Sequence, residues 1–219
     1  MTDFAAARRN MVDGQVRTAD VTDQALLAAL LAVPRERYVP PGSRPLAYLD
    51  LDLPAGEGPG SARRLLKPMV LAKLLQAAEI GPADRVLCIG CAYGYAAAVV
   101  AGLAGEVVAL EEEAGLAAAA REALAPLPNV SVVSGPLTAG WPALGPYDVI
   151  LIEGATEVEP RSFRSQLTDG GRLVCVLGAG PGAKATLYRR SGDDIGGRPI
   201  FDAAAAVLPG FVKPPAFAF

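Results

Sequence analysis

Two cysteines and two glycines share one short stretch, RVLCIGCAYGY, from Arg85 to Tyr95. Cys88 and Cys91 have the C-x-x-C spacing of a redox or metal pair. Gly90 and Gly94 stand where an apolar run gives way to an alanine-rich one, as at a ligand-binding strand-to-helix turn. The rest of the chain decides between these chemistries. It has no histidine and only three cysteines, so a four-ligand zinc site of the usual kind cannot be completed. A redox pair opens a helix, where the dipole lowers the thiol pKa, but Cys88 falls inside the apolar run. The absence of imidazole also removes Ser-His and Cys-His nucleophile pairs and the usual general base.

The glycine turn is the better reading. Glycine lets backbone approach a ligand closely, and ligands of open α/β sheets sit beyond the carboxyl ends of the strands. The spacing is G-x-x-x-G. Ala92 fills the place of the second glycine in the dinucleotide fingerprint, which favours a ligand without a pyrophosphate, such as S-adenosylmethionine, over a nicotinamide dinucleotide. An acid about 20 residues on should receive the ribose hydroxyls. Glu111, in VVALEEE, stands 21 residues after Gly90, and a carboxylate can accept both hydrogen bonds of a vicinal diol. Glu111 could instead be a solvated strand-end acid beside Glu112 and Glu113. Glu153, ending an apolar run, either faces the same cleft or is solvated. Trp141 reads as packing near the site. GAGPGAK (Gly178–Lys184) lacks the second glycine and the Ser/Thr of a phosphate loop.

The elements that must position these residues follow from pattern. VTDQALLAALLAV predicts a helix capped by Thr22 or Asp23 and stopped by Pro34. The next segment, through Arg64, is rich in Pro and Gly and predicts irregular structure over the core or a partly mobile lid. PMVLAKLLQAAEI predicts a helix from Pro68, with Gly81 just past its end. Strands are predicted at Arg85–Ile89, Glu106–Leu110, NVSVVS, Tyr147–Glu153 and GRLVCVLG. Helices are predicted at GYAAAVVAGLA and AGLAAAAREALAPL, with a short one at PRSFRSQLTDG closed by Gly170–Gly171. Strand–helix alternation implies a parallel, doubly wound α/β sheet. KATLYRR and IFDAAAAVLPGF, joined through SGDDIGGRP, predict an antiparallel pair that finishes it.

At 219 residues, one domain with an extra layer is expected: residues 1–67 as an N-terminal segment packed on a core at 68–219. A net charge of −3 without basic runs argues against nucleic-acid binding. No apolar run reaches the roughly 18 residues of a membrane span, and few cysteines suggest the reducing cytoplasm.

Seven blocks in order, VPRERYVPP, AYLDLDLP, LLKPMVLAKLL, VLCIGCAYGYAAAVVA, VVALEEE, GPLTAGWPALGPYDVILIEGA and QLTDGGRLVCVLG, resemble the protein-L-isoaspartate O-methyltransferases. The resemblance implies a Rossmann-like class I methyltransferase core, S-adenosylmethionine without a metal, and an isoaspartyl or related carboxylate acceptor on damaged protein. Carried over residue by residue, it places the cofactor at Cys88, Gly90, Cys91, Ala92, Gly94, Glu111, Glu112, Pro136 and Leu137, and assigns no catalytic residue. The chain departs from the family at Leu66 (usually Ser or Thr), Cys88 (usually Glu), Ala92 and Tyr93 in the turn, and Pro136 (usually Asp). These departures predict slow or absent methylation of isoaspartyl peptides. A second reading stays open, in which the fold is retained and the protein acts through binding or interaction. Oligomeric state is not legible.

Overall fold

The computed structural model describes residues 3–55 and 63–214. A seven-stranded sheet forms the centre. Its strands are β3 (Arg85–Ile89), β4 (Glu106–Glu111), β5 (Val130–Ser134), β6 (Tyr147–Thr156), β7 (Leu167–Leu177), β8 (Lys184–Ser191) and β9 (Asp194–Asp202). They lie in the order β5-β4-β3-β6-β7-β8-β9. The pairs from β5 through β7 are parallel, and β7–β8 and β8–β9 are antiparallel. Order reverses after β3, whose neighbours are β4 and β6. This switch point is where a doubly wound sheet opens a crevice for ligand. A separate two-stranded pair joins β1 (Leu53–Pro54) to β2 (Arg64–Leu65).

The helices are α1 (Phe4–Met11), α2 (Gln24–Ala32), α3 (Pro68–Ala78), α4 (Tyr95–Ala101) and α5 (Ala114–Leu124). All five contribute buried side chains to one apolar cluster against one face of the sheet, together with Cys88, Val107, Val149 and Val174. Alternate residues of the same strands, among them Leu87, Ile89, Val108 and Ile150, feed a second cluster on the other face, as the two-residue side-chain period requires. Among the described residues no α-helix packs on that face. Single 3-10 turns at Leu137–Ala139 and Arg161–Gln166 and the chain around Leu208 and Phe211 cover it.

Local chemistry sets the boundaries. Asp23 caps α2 by accepting from the amides of Ala25 and Leu26, satisfying two of the donors a helix start leaves open. Pro68 opens α3. That helix has no cap of its own. Asp52 accepts from the Lys67 amide (2.8 Å) and Asp50 from the Met69 amide (3.0 Å), so the LDLDL segment is tied to the α3 start. Left-handed Glu79, not Gly81, ends α3.

Two expectations are corrected. TDGG does not close a helix. The turn ends at Gln166, and Thr168–Gly171 lie inside β7, where the register jumps from Tyr147↔Leu167 to Val149↔Arg172. The glycines form a bulge, with Gly170 at φ +76°, a conformation glycine adopts without steric cost. Likewise, the turn of the terminal hairpin is only Gly192–Asp193, and IGGRP belongs to β9. Gly197 sits in that strand because the Tyr188 ring lies across it. A Cβ there would be 2.7 Å from Tyr188 Cδ1.

Candidate cofactor site

The turn after β3 carries three left-handed residues: Gly90 (φ +79°), Ala92 (φ +49°) and Gly94 (φ +89°). Glycine suits two of them. Ala92 holds the third at a steric cost of about 1–2 kcal/mol. The turn is pinned to the neighbouring strand by the Gly90 and Cys91 amides, which donate to the Leu110 carbonyl at 2.9 and 3.1 Å. It therefore sits directly beside Glu111, as the sequence spacing predicts.

Glu111 is fully buried. Its Oε1 accepts from the amides of Glu112 (2.8 Å) and Glu113 (3.1 Å), and its Oε2 from the Ala92 amide (2.7 Å). A buried carboxylate also needs a counter-charge. Arg63, 2% exposed, supplies it with Nη2 at 2.7 Å from Oε2 and Nη1 at 3.2 Å from Oε1. Nη2 also donates to the Gly90 carbonyl at 3.0 Å. Glu111 thus accepts five donors, about as many as a carboxylate can hold.

The C-terminal segment closes the site from the sheet side. The Ala155 amide donates to the Ala206 carbonyl (2.8 Å), and the Leu208 amide to the Ala155 carbonyl (3.0 Å). This short ladder lays Leu208 over the turn. A Cβ on Gly90 would lie 3.1 Å from Leu208 Cδ1, and one on Gly154 2.7 Å from Leu208 Cγ.

Among the other predicted residues, Glu112 and Leu137 are brought together. Glu112 is exposed, and its Oε2 accepts from the Leu137 amide at 3.2 Å. Pro136 is exposed beside them. Trp141 packs on Gly135, where a Cβ would be 3.1 Å from its ring. Cys88 and Cys91 are buried and, like Cys175, free thiols. Burial, with Glu153 nearby, holds both well above the usual thiol range, so neither is a thiolate. No cluster of three His, Cys, Asp or Glu side chains fit for a metal occurs among the described residues. Glu153 faces inward. It is 4% exposed, its Oε1 has no hydrogen-bond partner among the described residues, and burial pushes its carboxyl up to about 8. Leu66 is buried in the helical-face cluster, and its carbonyl accepts from Arg35 at 2.8 Å. Tyr93, half-buried, lines an open cleft of about 520 Å³ with Tyr38, Arg37, Arg44 and Glu122.

Sequence reasoning missed Arg63 and Leu208. Neither carries a local signal. Each reaches the turn through chain distant from it, and only the burial of Glu111 announces that some cation must come.

A switch in strand order after β3, a glycine turn and a strand-end acid on a sheet finished by an antiparallel pair define a Rossmann-like methyltransferase of class I. Residues 6–198 match the family model Protein-L-isoaspartate(D-aspartate) O-methyltransferase. The chain is 41% identical over 198 residues to Protein-L-isoaspartate O-methyltransferase 1 of Rhodopseudomonas palustris, covering 89% of this chain and 79% of that one. It is 39% identical over 193 residues to the Methylorubrum extorquens protein-L-isoaspartate O-methyltransferase, covering 88% and 83%. The fold is similar to a solved protein-L-isoaspartate O-methyltransferase (TM-score 0.79, 23% identity, 93% of this chain and 66% of that one). It is also similar to a Plasmodium falciparum beta-aspartate methyltransferase in complex with S-adenosyl-L-homocysteine (TM-score 0.74, 16% identity, 95% and 99%). The chain belongs to the protein-L-isoaspartate(D-aspartate) O-methyltransferase family, whose members use S-adenosylmethionine. No helix among the described residues is long and apolar enough to cross a membrane.

Proposed function

We propose that this chain methylates isoaspartyl or closely related carboxylates on damaged proteins, slowly, in the cytoplasm, with residues 1–67 and 68–219 acting as one unit. The observation that carries the reading is Glu111. It lies at the end of β4, beside the glycine turn and at the switch point, oriented by three backbone amides. Those amides leave the carboxylate fixed for a diol. Glu112 and the Leu137 amide frame the position expected for the adenine end, Gly90 keeps a side chain off the path between, and Gly94 lets the turn pack against Leu124. These residues fit the cofactor once the guanidinium of Arg63 and the side chain of Leu208 yield.

When bound, S-adenosylmethionine supplies an electrophilic methyl on a sulfonium. The chain's own task is then mainly positional. The acceptor carboxylate is ionised at pH 7, with a reference pKa of about 3.9, so no general base is required and the lack of histidine is no obstacle. Orientation and exclusion of water can supply much of the rate. Leu66 offers no hydrogen bond to orient an anion, and an unpaired buried polar group costs about 1–3 kcal/mol. That cost, placed on the barrier, slows turnover by about 5- to 150-fold.

The test is incorporation of labelled methyl from S-adenosylmethionine into an isoaspartyl peptide and its aspartyl twin, beside an active relative. Slow, isoaspartyl-selective incorporation supports the reading. No incorporation at saturating cofactor rejects it in favour of the second reading, a retained fold that acts by binding, which the filled ribose position favours.

A further inference from the structure

The guanidinium of Arg63 delivers two hydrogen bonds, one to each oxygen of Glu111. A vicinal diol would deliver the same two bonds to the same two atoms. Fork-shaped pairing with a carboxylate is what the planar guanidinium does best. Arg63 also satisfies the Gly90 carbonyl at the tip of the turn. We propose that Arg63 is an intramolecular competitor of the cofactor, occupying the ribose position of Glu111 so that a nucleoside binds only molecules in which this arginine has left. This rests on the reading of Glu111 as the ribose anchor.

The surroundings show a built arrangement rather than a stray side chain. Arg63 is held at its backbone, where its carbonyl accepts from the Ala55 amide at 3.0 Å. The next two residues pair with β1, Arg64 with Pro54 and Leu65 with Leu53. The chain then enters α3, whose first amides are held by Asp50 and Asp52. The element that presents the guanidinium is therefore fixed to the N-terminal segment on one side and to a core helix on the other. Charge points the same way. Arg63 also acts on Glu153, where its field opposes the effect of burial. Arg35 bears on Glu153 as well, so it is Glu111 whose charge is balanced by Arg63, its ion-pair partner, or by a cationic ligand in its place. The sulfonium ligand of the family is cationic, so exchanging one for the other keeps the balance.

The expected effect follows from population. If only a fraction of molecules is open, the apparent dissociation constant rises by the inverse of that fraction. Removing the competitor lowers it again. Calorimetric titration of the full chain and of Arg63→Gln with S-adenosyl-L-homocysteine, adenosine and 2′,3′-dideoxyadenosine tests this. Arg63→Gln should bind the first two at least tenfold more tightly than wild type and the dideoxy compound no more tightly. Arg63→Lys keeps the charge but not the fork. It should gain less, and it serves as the test protein if the glutamine variant does not fold. Equal or weaker binding in the variants, with measurable binding to wild type, overturns the competitor and leaves the methyltransferase reading intact. An equal gain for the dideoxy compound also overturns it, since the diol is then not what Arg63 replaces. Binding of no nucleoside to any of the three proteins overturns both.

Discussion

Replacing Glu153 by Gln should stabilise the protein, and the gain should grow with pH. The side chain is buried, with one oxygen unpartnered among the described residues, and burial moves its pKa from an ordinary 4.5 up to about 8. Between those values the folded chain holds a proton that the unfolded chain releases. Stability therefore falls as pH rises through that window, because the folded state binds more protons there. Each unit is worth about 1.36 kcal/mol. The penalty is about 1 kcal/mol at pH 5, reaches about 3 kcal/mol at pH 7 and levels off above pH 8. That is a large share of the ~5–15 kcal/mol by which a domain is stable. Glutamine keeps the shape and does not titrate. Urea unfolding from pH 5 to 9, followed by the fluorescence of Trp141, the one tryptophan, should show the gap between Glu153→Gln and wild type widening up to pH 8 and then holding constant. A gap that does not change with pH would refute the reasoning, since it would mean the carboxyl titrates alike in the folded and unfolded chains.

Glu111→Ala should lower affinity for S-adenosyl-L-homocysteine at least tenfold in calorimetry. It should also destabilise the fold by about 3–5 kcal/mol, because Arg63 stays buried without its partner; the urea midpoint reads the second effect, and Arg63→Met in the same chain should recover most of it. Gly154→Ala should cost about 1–3 kcal/mol, since its Cβ would fall 2.7 Å from Leu208 Cγ and 3.0 Å from the Ala206 carbonyl; an unchanged melting temperature would mean the Leu208 ladder is loose. A thiol reagent should find no reactive cysteine in native protein and three in urea, because all three are buried and free. Leu66→Ser should raise methyl incorporation into an isoaspartyl peptide only in part, while lowering the urea midpoint through loss of a buried side chain.

The central parallel strands were legible because a strand buried on both faces is an unbroken apolar run ended by glycine or an acid. RVLCI and EVVAL differ from β3 and β4 by at most one residue. Glycine misled where it served a strand rather than ended one. Gly170 forms a bulge, and Gly197 makes room for a ring on the next strand. The position of Glu111 beside the glycine turn was legible from its spacing and its place at a strand end. Its partner was not, because Arg63 arrives from the separate β1–β2 pair, and nothing in ARRLL tells which arginine turns inward. Glu153 could be read either way, since a strand-end acid is exposed or buried according to what the chain places over it.

The pairing of Arg63 with Glu111 also constrains how this chain can change over generations. A substitution at either position alone strands a charge in the interior, so descendants carrying one change are selected against before any benefit appears. The two positions should therefore be inherited as a couple: relatives with another residue at 63 should have altered the acid at 111, or have left it open to water and to the ribose. A lineage wishing to reopen the ribose position must pass through a fragile ancestor or be carried across by the ligand itself, whose presence in the cell would mask the cost of losing the arginine.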